Sequence, residues 1–510
     1  GEIGPALRDV LGATDAGGKI AVIVDFHDRF EMAGLKRVGT MSDRRRALVR
    51  ELRRRSEESQ GAVRALLRTH GVTQYTVLWG INGLAVEVTP DIIRELAARP
   101  EVAELRLDAT MKIAAPKVEV EAESEWNVEM VGAPDLWARG HSGDGVVVAI
   151  LDTGVDALHQ DLAVRYRGGD NSWFDPYGEH DAPYDADGHG TQSAGLAVGG
   201  DAGGTAIGVG PGALWIAARV FDDDGVGSLS GIHQAFQWGL DPDGDPATDD
   251  APDVANNSWG FQEQVNECYQ EFAEDIGLLR AAGIAVVFSA GNSGPAADTS
   301  VSPGNNPGAF PVGGVDDAGR VMSSSSRWPS ACGGGTFPTL VAPGLGVRTS
   351  DLTFGGVVPD SYAAVSGTSF AAPHVAGAAA LLLGVHPEAT LDQLEQALTE
   401  GAEDLGPDGP DNDSGHGLLD VVRAESVLAG LVGNGGGVTV FTDEALFSAA
   451  IGAADTVQEG FEDARAWGDT RSPDALPTVI SQGITWSSNH TDNQVSTSNG
   501  AARSGDCGFY

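Results

Sequence analysis

The run Val146–Leu151 (VVVAIL) contains six consecutive apolar residues and is followed directly by Asp152. An uninterrupted apolar run of this length is typical of a central parallel strand that is covered on both faces. Similar runs occur further along the chain, at Trp215–Val220, Asp253–Asn256 and Ala285–Ser289. Gly-rich turns and helical segments separate these runs. The pattern predicts an α/β fold with a doubly wound parallel sheet.

The chain has 510 residues and a formal net charge of −42. The charge is uneven, because residues 1–112 carry 18 basic and 16 acidic side chains, whereas the remaining residues carry 13 and 57. A surface this acidic repels nucleic acid and anionic membranes, so we expect no nucleic-acid partner. No uninterrupted apolar run reaches the ~20 residues of a membrane-spanning helix, so we also expect no membrane span.

The first 108 residues predict a small ferredoxin-like α+β domain with the order β-α-β-β-α-β. Its longest helix is expected over Ser42–Thr69, with a break near Gly61. Residues 109–125 are charged, have little to bury, and are expected to form a linker that contains a processing site. The α/β domain is then expected over residues 126–432.

A Gly-rich joint is predicted at Gly433–Gly437, and the last segment, residues 438–510, is expected to be a partial β-rich accessory domain. Strand-like pieces occur there at Val438–Phe441 and Gly483–Trp486. The segment has either a binding role or no role of its own. The chain begins with Gly1 and has no apolar export segment, so we expect that a signal peptide precedes it in the full product.

Three short motifs carry the residues of a nucleophilic site. Ile150–Gly154 (ILDTG) places Asp152 after a buried strand, and Asp187–Thr191 (DGHGT) places His189 between glycines. Ser366–His374 (SGTSFAAPH) places Ser369 at the start of a helix. A serine hydroxyl needs a nearby base, a histidine provides one, and a buried aspartate fixes the imidazole tautomer.

These motifs, in the order Asp, His, Ser, resemble the subtilisin-like serine proteases over roughly residues 126–428. Within that family the chain is most similar to the bacillopeptidase F branch, on segments such as Asp253–Gly260 (DVANNSWG). The resemblance implies a triad of Asp152, His189 and Ser369. It also implies an oxyanion hole formed by Asn292 of Ser289–Asn292 (SAGN) together with the backbone N–H of Ser369.

The same resemblance implies the residues that bind an extended peptide. They belong to an edge strand and to one wall of the specificity pocket, and they are Gly227, Ser228, Leu229, Ser258, Trp259 and Gly260. Pairing with an edge strand binds the main chain of any peptide, whereas pockets select its side chains. The expected partners are therefore protein or peptide substrates.

No cofactor is expected for catalysis, and any bound calcium would be structural. Asp161 matches a calcium ligand of the family, and Asp201 lies in the companion loop. The acidic run Asp241–Asp250 is either a calcium loop or a solvated surface loop, and we favour the second interpretation. Three cysteines are too few for a disulfide scaffold, and Cys268 and Cys332 form either one bridge or two buried thiols.

The N-terminal domain resembles the inhibitor-like propeptide of the family, which assists folding and blocks the cleft until it is removed. The arginine runs Arg44–Arg46 and Arg53–Arg55 are either a nucleic-acid patch or, as we prefer, a face that contacts the acidic protease domain. The sequence therefore predicts a secreted, self-processing serine endopeptidase. The alternative is an inactive protease scaffold that acts as an extracellular binding protein.

Overall fold

The computed structural model describes residues 1–30, 40–113, 117–119 and 125–433, together with four short strands between residues 478 and 509. The chain divides into two compact units, Gly1–Gly435 and Gly436–Tyr510. The first unit contains an N-terminal α+β region and the large α/β region that carries the predicted site.

Over residues 1–30 and 40–107, the N-terminal region forms one five-stranded sheet with three helices. Its elements are β1 (Glu2–Ile3), α1 (Pro5–Ala13), β2 (Ile20–Phe26), α2 (Met41–Thr69), β3 (Thr76–Leu78), β4 (Gly83–Val88), α3 (Pro90–Ala97) and β5 (Val102–Leu107). The strand order is β1-β5-β2-β4-β3. From β2 onward the order of elements is β-α-β-β-α-β, and β1 and α1 precede it as elements that the sequence analysis did not anticipate.

Helix α2 continues through Gly61, so the predicted break is wrong. Thr40 begins the helix with a reciprocal cap, because its side chain accepts from Asp43 N and the Asp43 carboxylate accepts from Thr40 N. Buried Val63 and Leu67 continue the apolar face of the helix beyond Gly61. This tertiary packing outweighs the roughly 1 kcal/mol by which glycine disfavours a helix interior.

The α/β region is built on a seven-stranded sheet in which every neighbouring pair is parallel. Its strands are β8 (Val147–Asp152), β9 (Trp173–Phe174), β10 (Leu214–Arg219), β12 (Val254–Asn257), β13 (Ala285–Ser289), β14 (Phe310–Val315) and β15 (Leu340–Pro343). The sheet order is β15-β14-β13-β12-β8-β10-β9. The four predicted apolar runs correspond to four adjacent strands, which confirms the predicted parallel α/β class.

Helices cover this sheet. They are α4 (Trp126–Met130), α5 (Ala133–Trp137), α6 (His189–Val198), α7 (Leu229–Leu240), α8 (Ala273–Ala281), α9 (Thr368–Val385), α10 (Leu391–Gly401) and α11 (Val421–Gly433). Helix α9 has the length and apolar composition of a membrane span, and it is the one such helix among the described residues. It is 78% buried inside the fold, where it packs against β12, β13, β14 and β15. We therefore assign α9 to the protein core.

The predicted linker contains two short strands. β6 (Thr110–Lys112) pairs antiparallel with β11 (Val226–Ser228), and β7 (Lys117–Glu119) pairs antiparallel with β17 (Tyr362–Ser366). β17 also pairs with β16 (Val347–Ser350). The linker prediction rested on low apolar content, and backbone pairing at a sheet edge does not require apolar side chains.

The second unit contains two described strand pairs. β18 (Thr478–Ser481) pairs with β19 (Ile484–Ser487), and β20 (Val495–Ser496) pairs with β21 (Gly508–Phe509), both antiparallel. β19 corresponds to the predicted strand at 483–486. The other predicted strand, Val438–Phe441, lies outside the described residues, as does the predicted joint after Gly433.

Cys268 and Cys332 are joined by a disulfide, so the alternative of two free thiols is wrong. The bridge ties the segment before α8 to the segment before β15. Cys507 lies outside the described residues.

Candidate active site

The carboxyl ends of three adjacent strands bring the predicted residues to one edge of the sheet. Asp152 is the last residue of β8, Ser258 follows β12, and Asn292 lies three residues after β13. In open parallel sheets, ligands bind outside these carboxyl ends. The fold therefore places the predicted residues where such proteins commonly have their sites.

Asp152 and His189 form a fully buried pair, with 2.7 Å between Asp152 Oδ1 and His189 Nδ1. His189 is the first residue of α6, and the next residue, Gly190, donates from its N–H to Thr153 Oγ1 at 2.9 Å. A Cβ at position 190 would lie 2.0 Å from the carbonyl oxygen of Gly154, so only glycine permits this close approach. The approach sets the imidazole directly beside the end of β8.

The environment of His189 raises its pKa above the ordinary value. Burial acts in the opposite direction, because it disfavours the charged imidazolium. The nearby carboxylates of Asp152, Asp187 and Asp185 outweigh burial because they stabilise the imidazolium. The ring of Phe370 lies 5.4 Å from the His189 ring, centroid to centroid, and limits its exposure.

Ser369 is the second residue of α9, which begins after Gly367. Its hydroxyl donates to the carbonyl oxygen of Ser258 at 2.9 Å, and Ser258 Oγ donates to the carbonyl oxygen of Ser369 at 2.7 Å. These reciprocal bonds fix Ser369 against the end of β12. A position in the first turn of a helix also favours negative charge there, because of the helix dipole.

Asn292 is oriented by the first residue of the same helix. Its Oδ1 accepts hydrogen bonds from Thr368 N at 2.9 Å and from Thr368 Oγ1 at 3.1 Å. Since the amide oxygen is engaged by Thr368, the Nδ2 group is left to donate elsewhere. This is the orientation that an oxyanion donor beside Ser369 requires.

Two residues outside the predicted site support it, and the first of them was missed by the sequence analysis. Asp185 is buried, and its carboxylate accepts from the N–H groups of Asp187, Gly188 and Thr191 at 2.9–3.0 Å, which shapes the turn before His189. Burial raises the pKa of Asp185. An Asp shortly before a glycine and a helix start is a recognisable capping signal that would have indicated this role.

His374 is the second supporting residue. Its Nδ1 donates to the carbonyl oxygen of Phe370 at 2.7 Å, and its Nε2 lies 2.9 Å from Asn127 Nδ2. Burial lowers the pKa of His374 to about 4, so the ring is neutral near pH 7. It braces the first turns of α9.

The predicted peptide-binding residues lie on two segments. Gly227 and Ser228 belong to β11, where Gly227 is paired with Met111 and Ser228 with Thr110 of β6. Leu229 begins α7 and donates from its N–H to the carbonyl oxygen of Ala109 at 2.9 Å. The second segment, Ser258, Trp259 and Gly260, follows β12 directly, and Trp259 Nε1 donates to the carbonyl oxygen of Leu151.

The predicted calcium residues do not by themselves assemble a calcium site. Asp161 is buried, and its carboxylate accepts from Ala202 N and from the hydroxyl of Tyr362. Asp201 is exposed. Calcium takes six to eight oxygen ligands, which two carboxylates do not supply. The assignment of calcium to Asp161 and Asp201 stays a prediction.

The acidic loop 241–250 contacts helix α2. Arg53 pairs with the buried Asp241 and donates to the carbonyl oxygen of Gly244 at 2.8 Å, and Arg45 pairs with Asp249 at 3.0 Å. Within the described residues, Asp241, Asp243 and Asp250 are close enough to share a cation, as are Glu179, His180 and Asp223. The loop is therefore not simply solvated, because basic side chains cover part of it.

Residues 143–417 match the subtilase family. Bacillopeptidase F of Bacillus subtilis (strain 168) is 34% identical over 78% of this chain and 30% of its own length. Alkaline elastase YaB of Bacillus sp. (strain YaB) is 33% identical over 63% of this chain and 75% of its own length. Subtilisin E of Bacillus subtilis (strain 168) is 31% identical over 64% of this chain and 77% of its own length.

The parallel sheet and these similarities define a serine protease on an α/β scaffold. The chain belongs to the subtilase family, which confirms the resemblance inferred from the three motifs. Subtilases need no cofactor for catalysis. The chain spans less than a third of bacillopeptidase F and about three quarters of the other two relatives.

Proposed function

We propose that this chain is a secreted, self-processing serine endopeptidase that hydrolyses peptide bonds through an acyl-enzyme. The observation that carries the proposal is the buried 2.7 Å contact between Asp152 and His189, at the sheet edge that Asn292 follows and that Ser369 of α9 contacts through Ser258. Acyl transfer needs a nucleophile, a base, an orienting carboxylate and an oxyanion donor, and these four residues are of those types.

In this mechanism Ser369 Oγ attacks the peptide carbonyl carbon and His189 Nε2 takes its proton. The Asp152 carboxylate holds the Nδ1–H tautomer and stabilises the imidazolium. Asn292 Nδ2 and the Ser369 N–H donate to the oxyanion. His189 then gives the proton to the leaving amine, and water attacks the acyl-enzyme in a second, equivalent cycle.

Substrate is proposed to bind as an additional strand on β11, along Gly227, Ser228 and Leu229. The pairing of β6 with β11 supports this role, because it shows that the edge accepts an antiparallel strand. Ser258, Trp259 and Gly260 would line the pocket for the residue on the amino side of the scissile bond. The bound strand supplies affinity for the peptide main chain, and the pocket supplies selectivity.

The N-terminal domain is proposed to act as an intramolecular inhibitor and folding aid. Its contact with the protease region has an apolar centre, where Leu48 and Leu52 of α2 cluster with Phe236 and Trp238. Several arginines surround this centre, and Arg106 pairs with the half-buried Glu271. Since β6 also covers the substrate edge, removal of this domain would free the proposed cleft.

Only part of the two arginine runs reaches the protease region. Arg45, Arg46 and Arg53 contact the acidic loop 241–250, whereas Arg54 and Arg55 pair with carboxylates of the N-terminal domain itself. These contacts support the interpretation of a docking face, which we preferred to a nucleic-acid patch.

The disulfide between Cys268 and Cys332 supports the proposal that the protein is secreted, because such bridges persist mainly in oxidising compartments. A fluorophosphonate probe tests the proposed function as a whole. An active peptidase labels at Ser369, and it loses the label when His189 is replaced. A folded chain that takes no label after prodomain removal would instead be the inactive binding scaffold.

Activity is expected to rise with pH through an apparent pKa above ~6.5, the ordinary value for histidine. The reason is that His189 acts as a base only when it is neutral, and its carboxylate neighbours raise its pKa. Activity is therefore lost as the pH falls through that raised value. The measurement is kcat/KM from pH 5 to 9 with a peptide anilide, and a flat profile would remove His189 from the role of base.

Salt should weaken the docking of the N-terminal domain and stabilise the protease domain. Raising NaCl from ~0.01 to ~1 M shortens the Debye length from about 30 Å to about 3 Å, which screens the Arg45–Asp249 contact and the repulsion among acidic residues. We expect a higher inhibition constant for added fragment 1–112 and a higher melting temperature for the processed enzyme. An inhibition constant that does not change with salt would mean that apolar and strand contacts alone hold the domain.

A further inference from the structure

Two main-chain segments flank the proposed nucleophile, and each contains a glycine. Ser258–Gly260 follows β12, and its first residue exchanges two hydrogen bonds with Ser369. Ala290–Asn292 follows β13, and its last residue accepts from Thr368. The space between these two segments is the candidate pocket for the substrate side chain next to the scissile bond.

Val301 packs against both segments. A Cβ at Gly260 would lie 3.1 Å from Val301 Cγ1, and a Cβ at Gly291 would lie 2.7 Å from Val301 Cγ2. One methyl group of Val301 therefore packs on each segment. The side chain is only 1% exposed, so both methyl groups are closely packed.

The backbone on both sides of Val301 is held in place. The carbonyl oxygen of Ser302 accepts from Phe261 N at 2.8 Å, and the carbonyl oxygen of Val301 accepts from Asn305 N at 3.0 Å. Ser300 Oγ accepts from Ala331 N at 3.0 Å, next to the bridged Cys332. Val301 therefore cannot easily move away when a larger group enters.

The strand that already lies on the substrate edge is followed by small residues. β6 pairs with β11, and Ile113 N donates to the carbonyl oxygen of Gly225 at 3.0 Å. In the sequence the next two residues are Ala114 and Ala115, whose placement lies outside the described residues. If this segment is the first substrate of the enzyme, its side chains fit a shallow pocket.

We propose that Val301 makes the specificity pocket shallow and selects substrates with alanine or glycine on the amino side of the scissile bond. The proposal rests on the proposed peptidase function. A rigid apolar pocket discriminates by roughly 10- to 200-fold for one methylene group. Leucine and phenylalanine exceed alanine by more than one such group, so both should be poor residues at this position.

The test uses the processed wild-type enzyme, titrated with a fluorophosphonate, and succinyl-Ala-Ala-Pro-X-p-nitroanilides with X as Ala, Leu or Phe. We expect kcat/KM for Ala to exceed that for Phe by about 100-fold or more. Val301→Gly should lower this ratio by about the same factor, chiefly through a gain on Phe. Val209→Ala is a matched control, since it shortens another fully buried valine, and it should leave the ratio unchanged.

A wild-type preference for Phe, or an unchanged ratio in folded Val301→Gly, would overturn the proposal while leaving the peptidase function intact. Absence of both labelling and hydrolysis would instead reject the peptidase function. If Val301→Gly does not fold, the wild-type enzyme still provides a test through the cleavage sites in an unfolded protein, identified by mass spectrometry. Cuts after Ala and Gly support the proposal, and cuts mainly after Phe, Leu or Tyr contradict it.

Discussion

Ser369→Ala should leave the purified chain uncut, with the N-terminal domain still attached. Ser369 is the proposed nucleophile, and without its hydroxyl no acyl-enzyme forms. The wild-type chain should lose a fragment of roughly the first 110 residues during incubation, because β6 already lies on the substrate edge. Electrophoresis and N-terminal sequencing after incubation measure the difference.

Ser193→Ala is the matched control for this experiment. Ser193 is buried on α6, and its hydroxyl has no hydrogen-bond partner in the part of the chain that the structure describes, so its loss should change neither folding nor processing. Thermal unfolding should show that Ser369→Ala is folded. A folded Ser369→Ala chain that is still cut within residues 109–125 when pure would contradict self-processing.

Asn292→Ala should lower kcat by about 10²–10³ with little change in KM, a magnitude measured for the corresponding donor in subtilisin itself and carried over to this chain. KM should stay nearly unchanged because the proposed Nδ2 donor binds the oxyanion of the transition state rather than the bound substrate. Steady-state kinetics with a peptide anilide provide both constants.

Asn292→Asp separates the two functions of this side chain. In the wild type, Asn292 Oδ1 accepts from Thr368 N at 2.9 Å, and an aspartate carboxylate can still accept this hydrogen bond. The carboxylate has no N–H group to donate to the oxyanion. Both variants should therefore lose turnover, although only Asn292→Ala loses the contact with Thr368. An Asn292→Asp enzyme with normal kcat would exclude Asn292 from the oxyanion hole.

The parallel sheet was predictable because its central strands are buried on both faces and therefore consist of continuous apolar runs. Val146–Leu151 is the clearest of these runs, and it corresponds to β8 within one residue at each end. The candidate triad was predictable for a related reason, since its residues occupy short motifs at strand and helix ends. The short motifs that mark the ends of these elements therefore also contain the residues expected to do the chemistry.

Other features depend on contacts between distant segments, which periodicity does not report. Helix α2 continues through Gly61 because its apolar face packs on the sheet of its own domain. β6 forms because Thr110–Lys112 meets β11, more than one hundred residues away. Val301 belongs to a segment without regular structure, and its contacts with Gly260 and Gly291 arise only when three loops converge.

The pairing of β6 with β11 has a kinetic consequence. Both strands belong to one chain, so the occupying segment is present at an effective concentration on the order of millimolar, however dilute the protein is. External peptides must compete with that tethered segment before the chain is cut. Once the connection is broken, the N-terminal fragment can diffuse into bulk solvent, and noncovalent contacts alone, among them those of α2, Arg106 and β6, keep the two parts together. Before cleavage, inhibition of the substrate edge does not depend on the protein concentration. After a single bond is cleaved, inhibition depends on the concentration of the released N-terminal fragment.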